Sequence, residues 1–339
     1  MFQTANKVKR FSNLFRYLSA DKIINWVKLQ ISYRLSFFGW QRLRNLSPSF
    51  ISVEASNYCN LHCPECPVGI QKKQKSDKTT FDIDLYKKLV DELKPTLQHI
   101  ILYFQGEPFL HRQLNELINY AHEARIYTST STNAQFINEE TAKKIVLSGL
   151  DKLIISLDGV TQEAYQSYRV GGDLQKTLRG IEELVKWKKL LKSATPLLEI
   201  QFLVLKTNEH QIKEVKKLGK KLGVDRVRLK SAQLYDFENG NTLMTSKNKH
   251  SRYKKNKVGK YEIKGNQPNR CWRLWNGAVV NTKGDILPCC FDKESEYSFG
   301  NIRTAESFHS CWHNEKASDF RGKILQNRKQ FEICRNCTS

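Results

Sequence analysis

The sequence predicts an α/β fold: a partial (β/α)6 TIM-like barrel followed by a small C-terminal domain made of a β-hairpin and a helix. Two observations predict the barrel. Between residues 51 and 235, short apolar runs alternate with longer amphipathic stretches, and short polar motifs follow several of the apolar runs. A third observation predicts the separate C-terminal domain, because six of the nine cysteines lie after residue 268.

Six apolar runs, rich in β-branched residues, are the strand candidates. They lie at residues 51–55, 99–103, 126–130, 152–157, 197–204 and 226–229. The stretches between them have apolar residues at helical spacing, which predicts amphipathic helices. These helices are expected at residues 82–93, 114–124, 139–147, 174–191 and 209–222. Such alternation is typical of βαβ units and a parallel sheet, whose chemistry gathers at the carboxyl ends of the strands.

Composition divides the 339-residue chain into four zones. A basic N-terminal extension with amphipathic helices is expected at residues 1–50, and the barrel at 51–235. A basic linker that begins with Gly and Asn residues spans 236–268. The cysteine-rich domain, 269–339, has too few apolar residues to fold on a hydrophobic core alone, so a bound metal is expected to stabilise it.

The chain has 56 Lys and Arg residues against 34 Asp and Glu, a formal charge of +22, which favours an anionic partner. Residues 1–50 concentrate this excess, with nine basic residues and a single acid. A basic amphipathic helix pair can lie on an anionic membrane surface. The interfacial residues would then be Trp26, Phe37, Phe38 or Trp40. The alternative, which the pattern favours slightly, is a helical extension that packs on the barrel and leaves its charges in solvent.

Nine cysteines in a chain without a secretory signal pattern indicate a reducing, cytoplasmic location and not a disulfide framework. No segment approaches the roughly 18 consecutive apolar residues of a membrane-spanning helix. In a reducing compartment, clustered cysteines more often bind metals or take part in redox chemistry. A cytoplasmic protein is therefore expected, with peripheral contact to a membrane as the further option.

The first cysteine group is Cys59, Cys63 and Cys66, which follows directly on the first predicted strand. Three thiolates within eight residues can bind one face of a cubane iron–sulfur cluster and leave its fourth iron open to a small molecule. A structural zinc site needs four closing ligands. His62 is the nominal fourth, but it is adjacent to Cys63 and poorly placed to reach the same metal. The ligand count therefore favours an open-sided cluster over zinc.

A C-x3-C-x2-C motif after the first strand of a partial barrel resembles the radical S-adenosylmethionine superfamily. The resemblance implies a [4Fe–4S] cluster on Cys59, Cys63 and Cys66 whose open iron is chelated by the amino and carboxylate groups of S-adenosylmethionine. It also implies reductive cleavage of S-adenosylmethionine to a 5′-deoxyadenosyl radical, which abstracts hydrogen from the substrate. An external electron donor such as flavodoxin or ferredoxin is then expected.

Four further motifs that resemble elements of this family follow in order, each at or shortly after the end of a predicted strand. Alone, each is compatible with a turn or a helix cap, so it is their order behind the cysteines that carries the resemblance. The cofactor-binding residues it implies are Gly106, Glu107, Pro108, Ser131, Asn133, Ser156, Asp158 and Arg169. In the family, the Gly-Glu-Pro motif receives the ammonium group, the Ser-x-Asp-Gly element lies near the ribose, and the basic residue meets the methionine carboxylate. Two residues depart from the family pattern: Gln105 replaces its first glycine, and Glu65 replaces an aromatic residue.

The second cysteine group surrounds a predicted hairpin with strands at residues 277–281 and 286–288 and a turn at 282–285. It resembles the SPASM/twitch extension of radical S-adenosylmethionine enzymes, a small metal-binding domain that holds auxiliary [4Fe–4S] clusters. Spacings of 18, 45 and 3 residues suit a single auxiliary cluster of the shorter twitch type. The ligands this implies are Cys271, Cys289, Cys334 and Cys337, with Cys290 as the alternative to Cys289 and Cys311 as a buried thiol. A structural zinc ribbon with four cysteine ligands is the alternative to a cluster.

An auxiliary cluster beside the substrate can accept a second electron, so the expected reaction is two-electron oxidation of an anionic or sugar-like molecule. A peptide or protein maturase, which oxidises Cys or Ser side chains or cross-links a peptide, fits the same motifs. A zinc-dependent nucleic-acid-binding module would explain the charge and the cysteines, but not Glu107 or Asp158 in their motifs. The expected substrate is thus a small molecule or a peptide, and nucleic acid is not an expected partner. The sequence identifies no catalytic acid or base.

Overall fold

The computed structural model describes residues 16–39, 46–70 and 78–338. Its six barrel strands pair in parallel and in chain order. They are Phe50–Val53 (β1), His99–Ile101 (β2), Tyr127–Thr132 (β3), Lys152–Ser156 (β4), Leu197–Val204 (β5) and Arg226–Ser231 (β6). All six lie where the apolar runs predict them, and the α/β fold of the partial barrel is confirmed.

Helices connect these strands and pack against one face of the sheet. With the N-terminal helix, they are Ala20–Leu35 (α1), Ile83–Leu93 (α2), Leu114–Glu123 (α3), Glu139–Leu147 (α4), Gln162–Gln166 (α5), Leu174–Leu190 (α6) and Ile212–Leu222 (α7). Asp82 caps α2 and Asn138 caps α4, because each side chain accepts a backbone N–H from the first turn. α7 ends at Gly223, which has a left-handed conformation with φ +78°. The five helices predicted between the strands are all present, and the short α5 is additional.

The two faces of the barrel sheet differ in polarity. Residues on the helix side, such as Ile100, Ile155 and Ile200, are completely buried in the main hydrophobic core. Alternate residues point to the concave face and are often polar, as Lys152 and Glu199 are. This concave face is the lumen of the partial barrel, and functional residues are expected at its carboxyl end.

The predicted basic linker contains a two-stranded hairpin, Tyr253–Lys255 (β7) and Tyr261–Ile263 (β8). The side chain of Tyr253 is buried beneath it. Its ring stacks on Phe237 with the ring centroids 4.5 Å apart, and its hydroxyl donates to Asn336 Oδ1 at 2.9 Å. The aromatic residues of this segment therefore pack inward, while its many lysines stay at the surface.

The boundaries of the four zones that the composition predicts along the chain stay a prediction.

The C-terminal hairpin is present as predicted, and it joins the barrel sheet. β9 (Gly277–Val280) pairs in parallel with β1 and antiparallel with β10 (Asp285–Leu287). A Cβ at Gly277 would lie 2.3 Å from the ring of Phe50, so the ring packs over the glycine in the space that a side chain would need. The other elements of this region are Trp272–Asn276 (α8), Gly300–Asn301 (β11), Phe308–Trp312 (α9), Glu315–Asn327 (α10) and Glu332–Arg335 (α11).

The N-terminal helix α1 packs beside α8. The ring of Tyr33 meets those of Trp272 and Trp275 edge-on, at centroid distances of 5.1 and 5.8 Å, and Leu29 is completely buried. The first helix of the predicted pair and Trp40 lie outside the described residues. Within the ranges that the structure describes, no helix is long and apolar enough to cross a membrane.

Candidate functional site

The three cysteines of the first group lie in the loop after β1, at the carboxyl end of the strand. Cys63 is buried, and Cys59 and Cys66 are half-buried. The loop backbone is tied to the loop after β2, because Glu107 N–H donates to Tyr58 O at 2.8 Å. The two loops that carry the first predicted motifs are therefore fixed against each other.

The thiols of this loop are sheltered from solvent. Burial raises the pKa of Cys59 to about 12 and also raises that of Cys63, where the nearby Arg169 guanidinium acts in the opposite direction. Arg169 Nη1 lies 3.7 Å from Cys63 Sγ, and Asn133 Nδ2 lies 3.7 Å from Cys59 Sγ. A buried thiolate needs a positive partner, which a bound metal supplies. The donor set therefore fits an iron–sulfur cluster.

A cavity of about 320 Å³ opens beside the three thiols, which form part of its wall. Except for Asp158, every cofactor-binding residue predicted from the sequence lines it. These residues are Gly106, Glu107, Pro108, Ser131, Asn133, Ser156 and Arg169. The fold brings the cysteines and the separate motifs to one place because the carboxyl ends of adjacent parallel strands meet there.

Glu107 is a buried carboxyl group in the wall of this cavity, only 3% exposed. Its Oε1 accepts from Thr132 Oγ1 at 2.7 Å, and its Oε2 accepts from Asn133 N–H at 2.8 Å. Burial raises its pKa to about 7, although these hydrogen bonds favour the charged form. The preceding Gly106 has φ +66°, and a Cβ there would lie 2.2 Å from Ser56 O. Glycine thus lets the motif approach the cysteine loop, and hydrogen bonds fix the carboxyl group.

Asp158 and Arg169 form a buried ion pair at the edge of the cavity. Arg169 Nε donates to Asp158 Oδ2 at 2.6 Å, and Leu203 N–H donates to Asp158 Oδ1 at 2.6 Å. The Asp158 side chain is completely buried and does not line the cavity, whereas Ser156 of the same predicted motif does. In this structure the aspartate orients the arginine, whose guanidinium faces the cysteine loop.

The cavity wall also includes four residues that lie outside all the predicted motifs and have no signal in the sequence: Tyr103, Gln233, Tyr235 and Lys293. They come from the end of β2, the segment after β6 and the C-terminal region, so only the fold brings them together. The unusual Glu65 holds one of these segments in place. Its Oε2 accepts from Tyr235 N–H at 2.8 Å, and its Oε1 accepts from Asn241 Nδ2 at 2.8 Å. The carboxylate of Glu65, which is adjacent to Cys66, therefore holds the segment after β6 against the first cysteine loop by hydrogen bonds.

The second cysteine group also comes together. Burial raises the pKa of Cys289 well above its usual value, and the nearby Cys290 thiol, then those of Cys271 and Cys334, raise it further. Burial likewise raises the pKa of Cys271, to which Cys337 contributes. The carbonyls of Cys334 and Cys337 both accept from Gln267 Nε2, at 3.1 and 2.7 Å. The four predicted ligands thus lie within electrostatic range of one another.

The two remaining cysteines have different surroundings. Cys290 packs with the side chains of Phe104 and Val279, and Arg273 Nη1 lies 3.9 Å from its Sγ. Cys311 is buried in the main hydrophobic core, as the sequence predicts. Among residues 16–39, 46–70 and 78–338, no three His, Cys, Asp or Glu side chains converge on a point where a single metal ion could bind. Cubane ligands instead surround a larger volume, because each thiolate binds a different iron.

Two family models match the chain in the order of these two sites. Residues 53–189 match the radical SAM superfamily, and residues 271–338 match SPASM, an iron–sulfur cluster-binding domain. The first match contains Cys59, Cys63, Cys66 and all the motifs that line the cavity. The second contains Cys271, Cys289, Cys334 and Cys337.

Curated relatives match most of the chain. A tungsten-containing aldehyde ferredoxin oxidoreductase cofactor-modifying protein of Pyrococcus furiosus is 23% identical over 85% of this chain and 87% of its own length. The PqqA peptide cyclase of Bradyrhizobium diazoefficiens is 25% identical over 86% of this chain and 78% of its own. The S-adenosyl-L-methionine-dependent 2-deoxy-scyllo-inosamine dehydrogenase of Niallia circulans is 23% identical over 86% of this chain and 93% of its own.

Solved structures share the fold. BtrN in complex with AdoMet and 2-DOIA matches with a TM-score of 0.51 and 19% identity, over 86% of this chain and 94% of that one. Native anSMEcpe with bound AdoMet matches with a TM-score of 0.60 and 19% identity, over 85% and 87%. Together with the two family models and the grouped cysteines, these matches lead to one conclusion. The chain belongs to the radical SAM superfamily: it is an enzyme that uses S-adenosylmethionine and a [4Fe–4S] cluster, and it has a C-terminal SPASM domain that binds auxiliary iron–sulfur clusters.

Proposed function

We propose that Cys59, Cys63 and Cys66 hold the [4Fe–4S] cluster and that S-adenosylmethionine occupies the cavity beside them. The observation that carries this proposal is the cavity wall itself, which combines three sheltered thiols with Glu107 and Arg169. When bound, the reduced cluster supplies the electron that cleaves the sulfonium to methionine and a 5′-deoxyadenosyl radical.

The chain's own residues then bind and orient S-adenosylmethionine. Glu107 Oε2 accepts one hydrogen bond from the described residues, and a carboxylate oxygen has two acceptor positions, so it can accept from the amino group. Arg169, held by Asp158, is placed to pair with the methionine carboxylate. Polar contacts to the ribose and the rest of the adenosine come from three residues. They are Ser131, Asn133 and Ser156.

We further propose that Cys271, Cys289, Cys334 and Cys337 hold one auxiliary [4Fe–4S] cluster, as their grouping and spacing favour. Cys290 is the alternative to Cys289, because it is adjacent in the chain and its thiol acts on the pKa of Cys289. An auxiliary cluster supplies an acceptor for the second electron taken from the substrate. Net two-electron oxidation of a small anionic or sugar-like molecule is the reaction this favours. The similarity to the inosamine dehydrogenase, which extends over 93% of that protein, supports the same reaction.

A peptide or protein substrate is the second candidate, supported by the similarity to PqqA peptide cyclase. One experiment distinguishes the two candidate substrates. The protein is reconstituted anaerobically, its iron is counted, and it is incubated with S-adenosylmethionine together with either peptides or a set of aminocyclitols and sugar phosphates. We expect about eight irons per chain, four for each cubane, and 5′-deoxyadenosine that accumulates together with a sugar-type product two mass units lighter. Product formation from peptides alone would identify a maturase. A colourless protein that contains zinc and no iron would contradict both.

The electron for the first cluster must come from outside the chain, since amino-acid side chains do not supply low-potential electrons. We propose an external donor such as flavodoxin or ferredoxin. The charge of +22 favours association with an acidic donor protein. A cytoplasmic location is also proposed, because the thiols at the two sites must stay reduced to bind iron.

Peripheral membrane contact through α1 is the last part of the proposal, and the unusual distribution of polar and apolar residues on this helix supports it. Its buried face is largely polar. Lys22 Nζ donates to Arg125 O at 2.6 Å, and Asn25 Nδ2 donates to Ser47 O at 2.8 Å. Most of its apolar residues point outward instead, although Leu29 is buried and Tyr33 packs against Trp272 and Trp275. The exposed apolar residues of α1 and the turn after it, here called the outer face of α1, are Ile23, Ile24, Trp26, Val27, Ile31, Leu35, Phe37 and Phe38.

The surroundings of this face favour a bilayer interface over bare solvent. Exposed apolar residues in a contiguous stripe usually mark a binding surface. Exposed basic residues border the outer face of α1, among them Lys28 and Arg34, and Arg270 lies 5.0 Å from the ring of Phe37. Apolar side chains with aromatic and basic neighbours suit a helix that lies in the plane of an anionic membrane surface.

We expect the protein to bind phosphatidylserine-containing liposomes at low salt, and the double variant Trp26→Ser, Ile31→Ser to bind at least about tenfold more weakly. The reason is the lost burial of two apolar side chains in the interface. Cosedimentation measures the bound fraction. The matched control is Leu190→Ser, Val258→Ser, which removes two exposed apolar residues elsewhere. Indifference of the unmodified protein to anionic liposomes would contradict the proposal. A dimer that the first variant dissociates would assign the face to a second copy.

A further inference from the structure

The last strand of the barrel carries a row of cations on one face. Along β6, the basic Arg226, Arg228 and Lys230 alternate with Val227 and Leu229. The two apolar residues pack into the main core on the helix side. Because successive side chains of a strand point to opposite faces, the three basic side chains point to the lumen of the partial barrel.

This row lies on the same face as the cofactor cavity. The strand register runs from Ser156 of β4 through Gln201 of β5 to Arg228 of β6, and Ser156 lines the cavity. Neighbouring strands lie about 4.8 Å apart, so the Cα of Arg228 is roughly 10 Å from that of Ser156. A long basic side chain spans most of that distance. β6 is also the edge strand of the sheet, so the row lies at the open side of the partial barrel.

The positive charge of the row is not balanced by the acid beside it. Glu199, which is buried on β5, has its carboxylate 3.0 Å from Arg228 Nε, 3.6 Å from Arg226 Nε and 3.1 Å from Lys152 Nζ. One carboxylate thus faces three cations. Lys230 has no acidic side chain within ion-pair distance in the described part of the chain.

The charges of two more cations, Arg252 and Arg273 from the C-terminal half of the chain, act on Lys230. Partial burial lowers the pKa of Lys230, which is still exposed to solvent, and the charges of Arg228, Arg252 and Arg273 lower it further, while Glu199 acts in the opposite direction. Arg273 also acts on Tyr103, a residue of the cavity wall whose pKa is raised chiefly by burial. The positive region therefore extends from β6 to the wall of the cavity. Gathering like charges costs free energy unless an anion neutralises them.

A purely structural role accounts for only part of this arrangement. Neutralising the buried Glu199 requires one close cation, and Lys152 or Arg228 already supplies it. Lys230 and Arg273 contribute nothing to that pairing and still add to the positive field. Arginine and lysine side chains that converge on an open, partly desolvated space are typical of phosphate recognition, in which the planar guanidinium can bind two oxygens at once.

We propose that Arg228, Lys230 and Arg273 bind a phosphate or diphosphate group of the substrate, at a subsite in the barrel lumen next to the cofactor cavity. The inference rests on the proposed function and names the charged part of its substrate. Residues two apart on a strand are about 6.8 Å apart, so Arg228 and Lys230 can contact different oxygens of a polyanion. A singly charged carboxylate would leave most of the row unneutralised. The rest of the substrate would extend from this subsite toward the cavity.

The test uses the anaerobically reconstituted protein with S-adenosylmethionine, titrated with pyrophosphate, inorganic phosphate or acetate at matched low ionic strength in a calorimeter. We expect saturable binding of pyrophosphate, weakened about tenfold in Lys230→Gln, which corresponds to one lost charged contact. Arg273→Gln, which lies outside β6, should weaken binding similarly and guards against misfolding of the strand. The matched control is Lys217→Gln on the exposed outer side of α7, which should change the affinity less than twofold.

Three results would overturn the subsite: no saturable binding, equal weakening by Lys217→Gln, or acetate bound as tightly as pyrophosphate. Equal weakening would show that the anion associates with the general positive charge of the surface. Iron content and S-adenosylmethionine binding of the unmodified protein are measured on the same preparation. Their absence would contradict the proposed function, whereas their presence without pyrophosphate binding would contradict the phosphate subsite alone.

Discussion

Replacement of Cys59, Cys63 or Cys66 by alanine should lower the formation of 5′-deoxyadenosine by at least about a thousandfold, a barrier increase of roughly 4 kcal/mol. The reason is the ligand count, because a cluster held by three thiolates with one open iron does not survive the loss of one of them. Each variant should still retain about four irons per chain at the second cysteine group. Iron analysis and chromatography of the S-adenosylmethionine cleavage products measure both effects.

Cys311→Ala is the matched control, since this thiol is buried in the core and belongs to neither group. It should keep about eight irons and the cleavage activity. Cys337→Ala should give the complementary result, with the first cluster present and the second lost. If Cys59→Ala retained all the iron or cleaved S-adenosylmethionine at the normal rate, the assignment of the first cluster would be wrong.

Replacement of Arg169 by methionine should lower the free energy of unfolding by about 3–5 kcal/mol, because it leaves the carboxylate of Asp158 buried without its ion-pair partner. The Asp158 side chain is completely buried, so water cannot replace the guanidinium. The same variant should bind S-adenosylmethionine poorly, since the cation facing the cavity is gone. Anaerobic denaturant titration and equilibrium dialysis with labelled S-adenosylmethionine measure the two losses.

An exposed ion pair provides the control for this variant. Lys144→Met breaks the ion pair between Lys144 and Glu140, whose side chains are 58% and 74% exposed, respectively. It should change the free energy of unfolding by no more than about 0.5 kcal/mol. Adding Asp158→Asn to Arg169→Met should restore part of the stability, because no buried charge is left unpaired. An Arg169→Met protein as stable as Lys144→Met would show that the pair does not stabilise the fold.

The barrel could be predicted because its signals are local. Buried parallel strands appear as short apolar runs, and the helices between them show their own periodicity. The cysteine loop and the Gly106-Glu107 motif are likewise short stretches whose spacing is visible in the chain. Their convergence follows from one rule, that the carboxyl ends of parallel strands share an edge.

The features that could not be predicted depend on contacts between distant segments. The residues of β9 do not by themselves indicate that this strand adds to β1, because the partner strand is distant in the sequence and leaves no local pattern. The β7–β8 hairpin is obscured by its surface lysines, since Tyr253 alone gives little periodicity. The role of Glu65 is visible only once Tyr235 N–H is seen to donate to it across the fold.

The pairing of β9 with β1 has a consequence for the order of assembly. The two strands are among the most distant partners in the chain: Ser49 and Asn276, which flank them, are 227 residues apart and share a hydrogen bond. During synthesis from the N-terminus, one edge of β1 therefore remains unpaired until the last quarter of the chain emerges from the ribosome. An open edge strand is prone to pair with other chains. Closure of the sheet is thus a late step, and β1, which leads into the first cysteine loop, is paired on both edges only after it.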